Sequence, residues 1–225
     1  LTSEDMFKNQ LIDGVVKEPL GGAHQNPEEM AATLKAQILD DLNEFGFALI
    51  DDVYSNDYVQ TLAHECTSHL AEFRAAGVQN GIVSHIRSDH ILWINGQLPI
   101  AQQHIQTLEH LSQALNQAFY LGIKEVEAHF ACYNAGEFYA LHRDNPQQKN
   151  DRMISTVFYL HECWQDDWGG QLRLQDKNDQ WHIIQPLANR LAIFQSDLLH
   201  EVLLSKQQRL SITAWLRSGH SIWHG

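Results

Sequence analysis

After Gly122 the chain changes character. Eight short segments of β-type composition, near 127–133, 138–143, 153–160, 170–175, 181–185, 190–195, 199–204 and 208–216, follow one another with turn-rich connections. A run of that kind suggests a sandwich or barrel. The helical patterns all come before it. That order predicts an α+β domain, a double-stranded β-helix (jelly roll) buttressed on one face by N-terminal helices.

The helical half is read from caps and spacing. Asn26 can cap a helix that Pro27 opens, Glu28 and Glu29 face its positive end, and Met30, Leu34, Ile38 and Leu42 recur at helical intervals up to Gly46. Phe47-Ala-Leu-Ile50 reads as a strand. A second helix is expected from about 57 to 76, with Val59, Leu62, Cys66, Leu70 and Phe73 on one face and Gly77 at its end. A third runs from about 100 to 120, its stripe Ile105, Leu108, Leu111, Leu115 and Phe119 packing on a sheet. The domain plan is an arm over 1–26 and one domain over 27–220, made of helical support (27–122) and jelly-roll core (123–217).

At 225 residues and 44% hydrophobic content the chain can bury a full core. Fifteen Lys and Arg stand against 28 Asp and Glu, a formal charge of −13 with no basic run, which argues against a nucleic-acid or anionic-membrane partner. No apolar stretch approaches the roughly 20 residues of a membrane span, and Leu1-Thr-Ser-Glu-Asp5 lacks signal-peptide character. A cytoplasmic monomer is expected. Cys66, Cys132 and Cys163 form no CxxC and read as buried thiols.

The chemistry lies in two segments, Tyr139-Ala-Leu-His-Arg-Asp144 and Asp197-Leu-Leu-His200, with Arg209 nine residues past the second histidine. Residues i and i+2 of a strand share a face, so His142 and Asp144 can meet one metal while Arg143 points away. His200 lies between two apolar strands. Two histidines and a carboxylate on one face of an octahedron suit non-haem iron(II), leaving positions for a chelating co-substrate and dioxygen. A guanidinium at Arg209 can pair bidentately with the distal carboxylate of 2-oxoglutarate.

Ala131-Cys-Tyr133, Tyr139-Ala-Leu-His-Arg-Asp-Asn-Pro146, Ser155-Thr-Val-Phe-Tyr-Leu160, Trp168-Gly-Gly-Gln-Leu-Arg-Leu174, Asn189-Arg-Leu191, His200-Glu-Val202 and Arg209-Leu-Ser-Ile-Thr-Ala-Trp215 together resemble the oxygen-sensing prolyl hydroxylase domain family. The likeness reaches upstream through Phe45–Asp52 and Ile86–Trp93, covering roughly residues 30 to 217. It implies Fe(2+), 2-oxoglutarate and dioxygen as reactants, with ascorbate as an accessory, and C4 hydroxylation of a prolyl residue in a protein, giving succinate and CO2. By position it implies His142, Asp144 and His200 as iron ligands and Arg209 and Tyr159 as the carboxylate anchor. Tyr133 would lie by the chelating end, Thr213 near the metal's solvent, Leu172 on an apolar wall, Trp215 by the peptide channel and Arg152 at its entrance. The likeness to bacterial members makes a translation factor such as elongation factor Tu a candidate partner. The loop between Tyr133 and His142 is one residue shorter than in animal enzymes, and Ala76–Gly81 is compact, so the peptide served is the open part of this reading.

Residues 12–38 separately resemble a C-terminal segment of the carboxyltransferase α subunit of acetyl-CoA carboxylase, outside that enzyme's catalytic core, and imply no activity. Two alternatives remain: a 2-oxoglutarate oxygenase for a free amino acid or other small molecule, and a non-catalytic metal-binding module. Base demethylases place a second arginine six residues after the anchor, whereas Arg217 is eight residues past Arg209. A kinase reading of His142-Arg-Asp144 fails because Lys149 stands where an asparagine is needed and no Gly-rich loop is present.

Overall fold

The computed structural model describes residues 27–77, 85–146 and 151–219; the 1–26 arm, the Asn26 cap and most of the 76–81 loop lie outside them. Helix α1 (Pro27–Glu44) ends where Gly46 takes φ +82°, and β1 (Phe47–Ile50) follows. Helix α2 (Asn56–Ser68) begins at Ser55, whose hydroxyl accepts the Tyr58 N–H. It stops eight residues before the end predicted from its apolar spacing, at 68 instead of 76. The Thr67 and Ser68 hydroxyls donate to the carbonyls of Ala63 and His64, at 3.0 and 2.7 Å, and so compete with the helical ladder. A 3-10 turn (Leu70–Glu72) then leads into a strand the sequence reading missed, β2 (Arg74–Ala75), paired with β3 (His90–Trp93). Phe73 keeps its predicted place in the core, and Leu70 packs against it.

Helix α3 (Pro99–Phe119) has no cap from its own flank. Its first free amides are taken by α2: the Glu65 carboxylate accepts the N–H groups of Ile100 and Ala101 at 3.0 and 2.8 Å. All eight strands expected after Gly122 are present, as β4 (Glu125–Tyr133), β5 (Tyr139–His142), β6 (Arg152–Tyr159), β7 (Leu172–Gln175), β8 (Trp181–Ile184), β9 (Leu191–Gln195), β10 (His200–Val202) and β11 (Arg209–Arg217).

The strands form two antiparallel sheets, β1-β9-β6-β11-β4-β3-β2 and β5-β10-β7-β8, the two walls of a jelly roll. Alternation along each strand assigns the faces. Phe130 and Cys132 of β4, Ile154 and Phe158 of β6, Ile193 of β9 and Ile212 and Leu216 of β11 meet Leu42, Leu62, Cys66, Leu108 and Leu115 of the helices. The opposite faces of β6 and β9 send Val157, Tyr159 and Phe194 inward against Leu172, Leu174 and Ile184 of the smaller sheet. The helices therefore cover one face only, as the α+β reading expected. Cys66 and Cys132 are buried, but Cys163 is exposed, because it sits on the loop after β6 and not on a packed face. No helix of the described residues is long and apolar enough to cross a membrane.

One turn fixes how the smaller sheet meets the larger. Gly169 has φ +72°, and a Cβ there would lie 2.2 Å from the Leu204 carbonyl oxygen. Gly169→Ala is expected to lower unfolding free energy by about 2–4 kcal/mol in urea melts, while Gly96→Ala, which meets nothing within 4 Å, should lie within about 1 kcal/mol of wild type. His104 supplies a pH test. Its ring is fully buried between Tyr54, which bonds its Nδ1 at 2.7 Å, and Phe158, and burial pushes it from 6.5 down to about 3. The unfolded histidine takes up a proton below about 6.5 while the folded one does not, so this contribution to stability is present above that pH and is lost as pH falls toward 3. His104→Leu should flatten the fall in stability across that window, measured by urea unfolding at stepped pH.

Candidate active site

His142 closes β5, His200 opens β10, and the two are register partners in the smaller sheet. Asp144 does not continue the strand, as the i, i+2 argument assumed; β5 ends at His142 and Asp144 lies in a bend beyond it. There the Arg143 guanidinium donates to the Asp197 carbonyl, pinning the bend to the start of the β9–β10 connection. The expected convergence survives this change of backbone. Asp144 Oδ1 lies 3.5 Å from His142 Nε2, and Oδ2 lies 3.6 Å from His200 Nε2.

The ring orientations follow from neighbouring carbonyls. Nδ1 of His142 is 2.8 Å from the Ala140 oxygen and Nδ1 of His200 is 2.9 Å from the Leu198 oxygen. A carbonyl only accepts, so each Nδ1 carries the hydrogen and each Nε2 turns a lone pair toward the carboxylate. Burial, then the neighbouring His142, pushes His200 down to about 4, keeping its ring neutral. Burial alone would raise Asp144, but the charge that His200 and His142 carry when protonated and a 2.6 Å bond from the Ser155 hydroxyl outweigh it and hold the carboxyl well below the ordinary range. Two imidazole lone pairs and an ionised oxygen, all within 4.8 Å of one another, form a donor set suited to a divalent cation, and this triplet could hold iron(II).

Arg209, the first residue of β11, is 1% exposed and lies 5.0 Å from the ring centres of both Tyr133 and Tyr159. Its Nη1 reaches the Ser211 hydroxyl at 3.3 Å, yet its Nε and Nη2 and the Tyr159 hydroxyl are buried with no hydrogen-bond partner among the described residues. Such donors are costly to bury unsatisfied. A guanidinium and a phenol hydroxyl so placed fit a carboxylate. Gly170 makes the room: a Cβ there would stand 3.0 Å from Arg209 Cδ.

The triplet and Arg209 open on one cavity of about 420 Å³ of atom-free space, counting its mouth. Tyr133, Leu172, Thr213 and Trp215, all expected at the site, line it as well. Tyr159 stands behind that wall under Arg209. Arg152 lies flat on Trp215, its Cζ 3.5 Å from the ring centre, with NH2 3.4 Å from Glu127.

Sequence reasoning assigned no role to several supporting residues. Tyr139 stacks on His142 at 3.6 Å and 16°, and Arg87, paired with the fully buried Asp89 at 2.6 Å, lies 4.7 Å above Tyr139. Phe194 meets His200 edge-on at 4.8 Å, and Ser196 bonds Ser155 at 2.8 Å. Strand alternation held one usable signal: Ser155, Val157 and Tyr159 share a face of β6, so a serine there points at the same interior as the anchor.

Residues 128–217 match the family described as the 2OG-Fe(II) oxygenase superfamily. The crystal structure of a Pseudomonas putida prolyl-4-hydroxylase superposes with TM-score 0.77 at 38% identity, covering 82% of this chain and 99% of that one. A Trichoplax adhaerens prolyl hydroxylase, solved with a peptide fragment of the hypoxia inducible factor oxygen degradation domain, superposes with TM-score 0.76 at 25% identity, over 82% of this chain and 89% of that one. The hypoxia-inducible factor prolyl hydroxylase of Caenorhabditis elegans is 30% identical over 206 residues, 79% of this chain; the chain spans only 27% of that protein's length. Residues 1–63 match an acetyl co-enzyme A carboxylase carboxyltransferase-like family, and a Salmonella newport carboxyl transferase subunit alpha is 47% identical over 55 residues, 24% of this chain and 17% of that protein.

Gly170→Ala should crowd the Arg209 stem without touching the triplet. Calorimetry with Mn(II) in place of iron is expected to show 2-oxoglutarate binding weakened about tenfold, close to 1.4 kcal/mol, with Mn(II) affinity unchanged.

Proposed function

This chain belongs to the 2OG-Fe(II) oxygenase superfamily, on its prolyl hydroxylase branch, and from that premise we propose that it hydroxylates C4 of a prolyl residue in a protein. The reading rests on one coincidence: the His142, Asp144, His200 donor set and the buried guanidinium of Arg209 open on a single cavity, with the Tyr159 hydroxyl beside that guanidinium behind the wall. Iron(II), when bound, supplies the dioxygen chemistry that oxidises an unactivated C–H bond, with 2-oxoglutarate as the two-electron reductant that leaves as succinate and CO2.

The chain's own part is placement. His142, Asp144 and His200 would hold the metal, and the Ala140 and Leu198 carbonyls with Ser155 keep those side chains oriented. Arg209 and Tyr159 take the distal carboxylate of 2-oxoglutarate, so the co-substrate's other end is directed at the metal. Tyr133 and Leu172 wall it in and exclude water, Thr213 faces the same space, and Trp215 with Arg152 forms the side where a polypeptide would arrive.

In domain terms we assign 27–220 to the oxygenase and 1–26 to an arm. Pairing of β1 with β9 supports counting residues 47–50 with the oxygenase, since it makes them part of the larger sheet although they fall inside the carboxyltransferase-like stretch. A cytoplasmic setting, ascorbate as accessory reductant and elongation factor Tu as the first protein to try complete the proposal.

His142→Ala or Asp144→Ala is expected to abolish substrate-stimulated succinate release. Arg209→Lys should raise the KM for 2-oxoglutarate about 10- to 100-fold, since a point charge replaces the two-pronged pair. Mass spectrometry of a proteome treated with the Fe(II)-loaded protein should place one added oxygen atom on proline. Oxygen found on free amino acids would move the assignment to a small-molecule oxygenase, and no succinate at all would leave a metal-binding module.

A further inference from the structure

One residue beside the cavity is used by nothing described so far. His129 lies on the same face of β4 as Ala131 and Tyr133, across from Thr213 on β11 and from Trp93 on β3. It is 1% exposed, and its ring meets Trp215 at 5.3 Å and Trp93 at 5.1 Å. Nδ1 lies 3.1 Å from the Phe130 carbonyl, so it carries the hydrogen and leaves Nε2 as an acceptor. Burial first, then Arg87, pushes the ring down to about 4, so it stays neutral near pH 7. Among the described residues His129 Nε2 has no hydrogen-bond partner, and neither does the indole N–H of Trp215, which is 4% exposed and lines the cavity.

An orphaned acceptor and an orphaned donor thus stand on adjacent rings at the cavity wall. One residue of an extended polypeptide offers the complement of both, its N–H and its C=O directed to the same side. Free proline keeps a carboxylate and an ammonium there instead. The side chains over this spot are the ones nearest solvent: Trp93 is 45% exposed, and Arg152, resting on Trp215, has 29% of its side chain exposed. We propose that His129 Nε2 and Trp215 Nε1 receive the backbone of one extended substrate residue flanking the target proline, accepting from its N–H and donating to its C=O. This makes His129 a residue that selects peptidyl proline over free proline. The inference rests on the prolyl hydroxylase reading and names how that site recognises its substrate class.

The test uses the Fe(II)-loaded protein and a pooled library of blocked, proline-centred nonapeptides, read by peptide-stimulated succinate release. The most active peptide is then remade with single N-methyl groups on each amide flanking the proline. One methylation should cost about tenfold in kcat/KM with the wild-type protein. In His129→Leu the unmethylated peptide should lose about tenfold, and that same methylation should cost less than twofold, since the partners are already parted. His129→Gln, which keeps an acceptor, should recover part of the loss and guards against a variant that merely fails to fold. Equal methylation penalties in wild type and His129→Leu would overturn the proposal and leave a water bridging the two nitrogens. Full activity of His129→Leu, or preference of the wild type for free L-proline over every peptide, would also overturn it. No stimulation by any peptide would overturn the prolyl reading itself, and this assignment with it.

Discussion

Strand β11 is hydrogen-bonded along both edges, to β4 from Arg209 to Arg217 and to β6 from Ser211 onward, and the rest of the molecule depends on that double pairing. Its even side of the alternation, Leu210, Ile212, Ala214 and Leu216, faces the helices; its odd side, Arg209, Ser211, Thr213 and Trp215, faces the cavity. A slip of one residue would bury the arginine against α2 and α3 and present leucines to the co-substrate. Core packing and active-site order are therefore held by one register. The apolar residues of β11 secure the position of its polar ones.

The same logic separates the two kinds of ligand support. The triplet sits at strand ends, where β5 and β10 are short and Asp144 has left the sheet, so its geometry depends on local ties: two carbonyls, two serines and the Arg143 contact to Asp197. The anchor is built differently. Arg209 opens β11, the central strand of the larger sheet, with Tyr133 and Tyr159 closing the flanking strands β4 and β6, and Gly170 leaves room for its side chain. A carboxylate that must dock in one orientation gains from an anchor on a strand held between two neighbours.

How much of this the sequence disclosed varied with the kind of signal. The eight late strands were legible because turn residues punctuate them and their composition is β-type. The end of α2 was not, since Leu70 and Phe73 continue its apolar spacing while the chain itself has turned; spacing reports which side is buried, not which backbone carries it. β3 escaped because His90-Ile-Leu-Trp93 is short and shows no clean alternation of apolar and polar residues. At the site, His142, Asp144, His200 and Arg209 stood out by residue type and order. Ser155, Ser196, Tyr139 and His129 did not, because their roles arise from contacts made across strands far apart in the chain. Cys163 misled in the other direction, a residue type usually buried that here occupies a surface loop.

The Glu65 carboxylate, held against the first turn of α3, has a consequence for how this protein can vary. A helix capped by its own preceding residue can be lengthened, shifted or exchanged alone. Helix α3 has no such independence: its start is specified by a residue 35 positions earlier on another helix. Any drift in the length of α2, or in the β2–β3 excursion between them, moves the carboxylate off its two amides. The helical layer is thus inherited as a pair, and changes of substrate range must be accommodated in the loops around it and not in its frame.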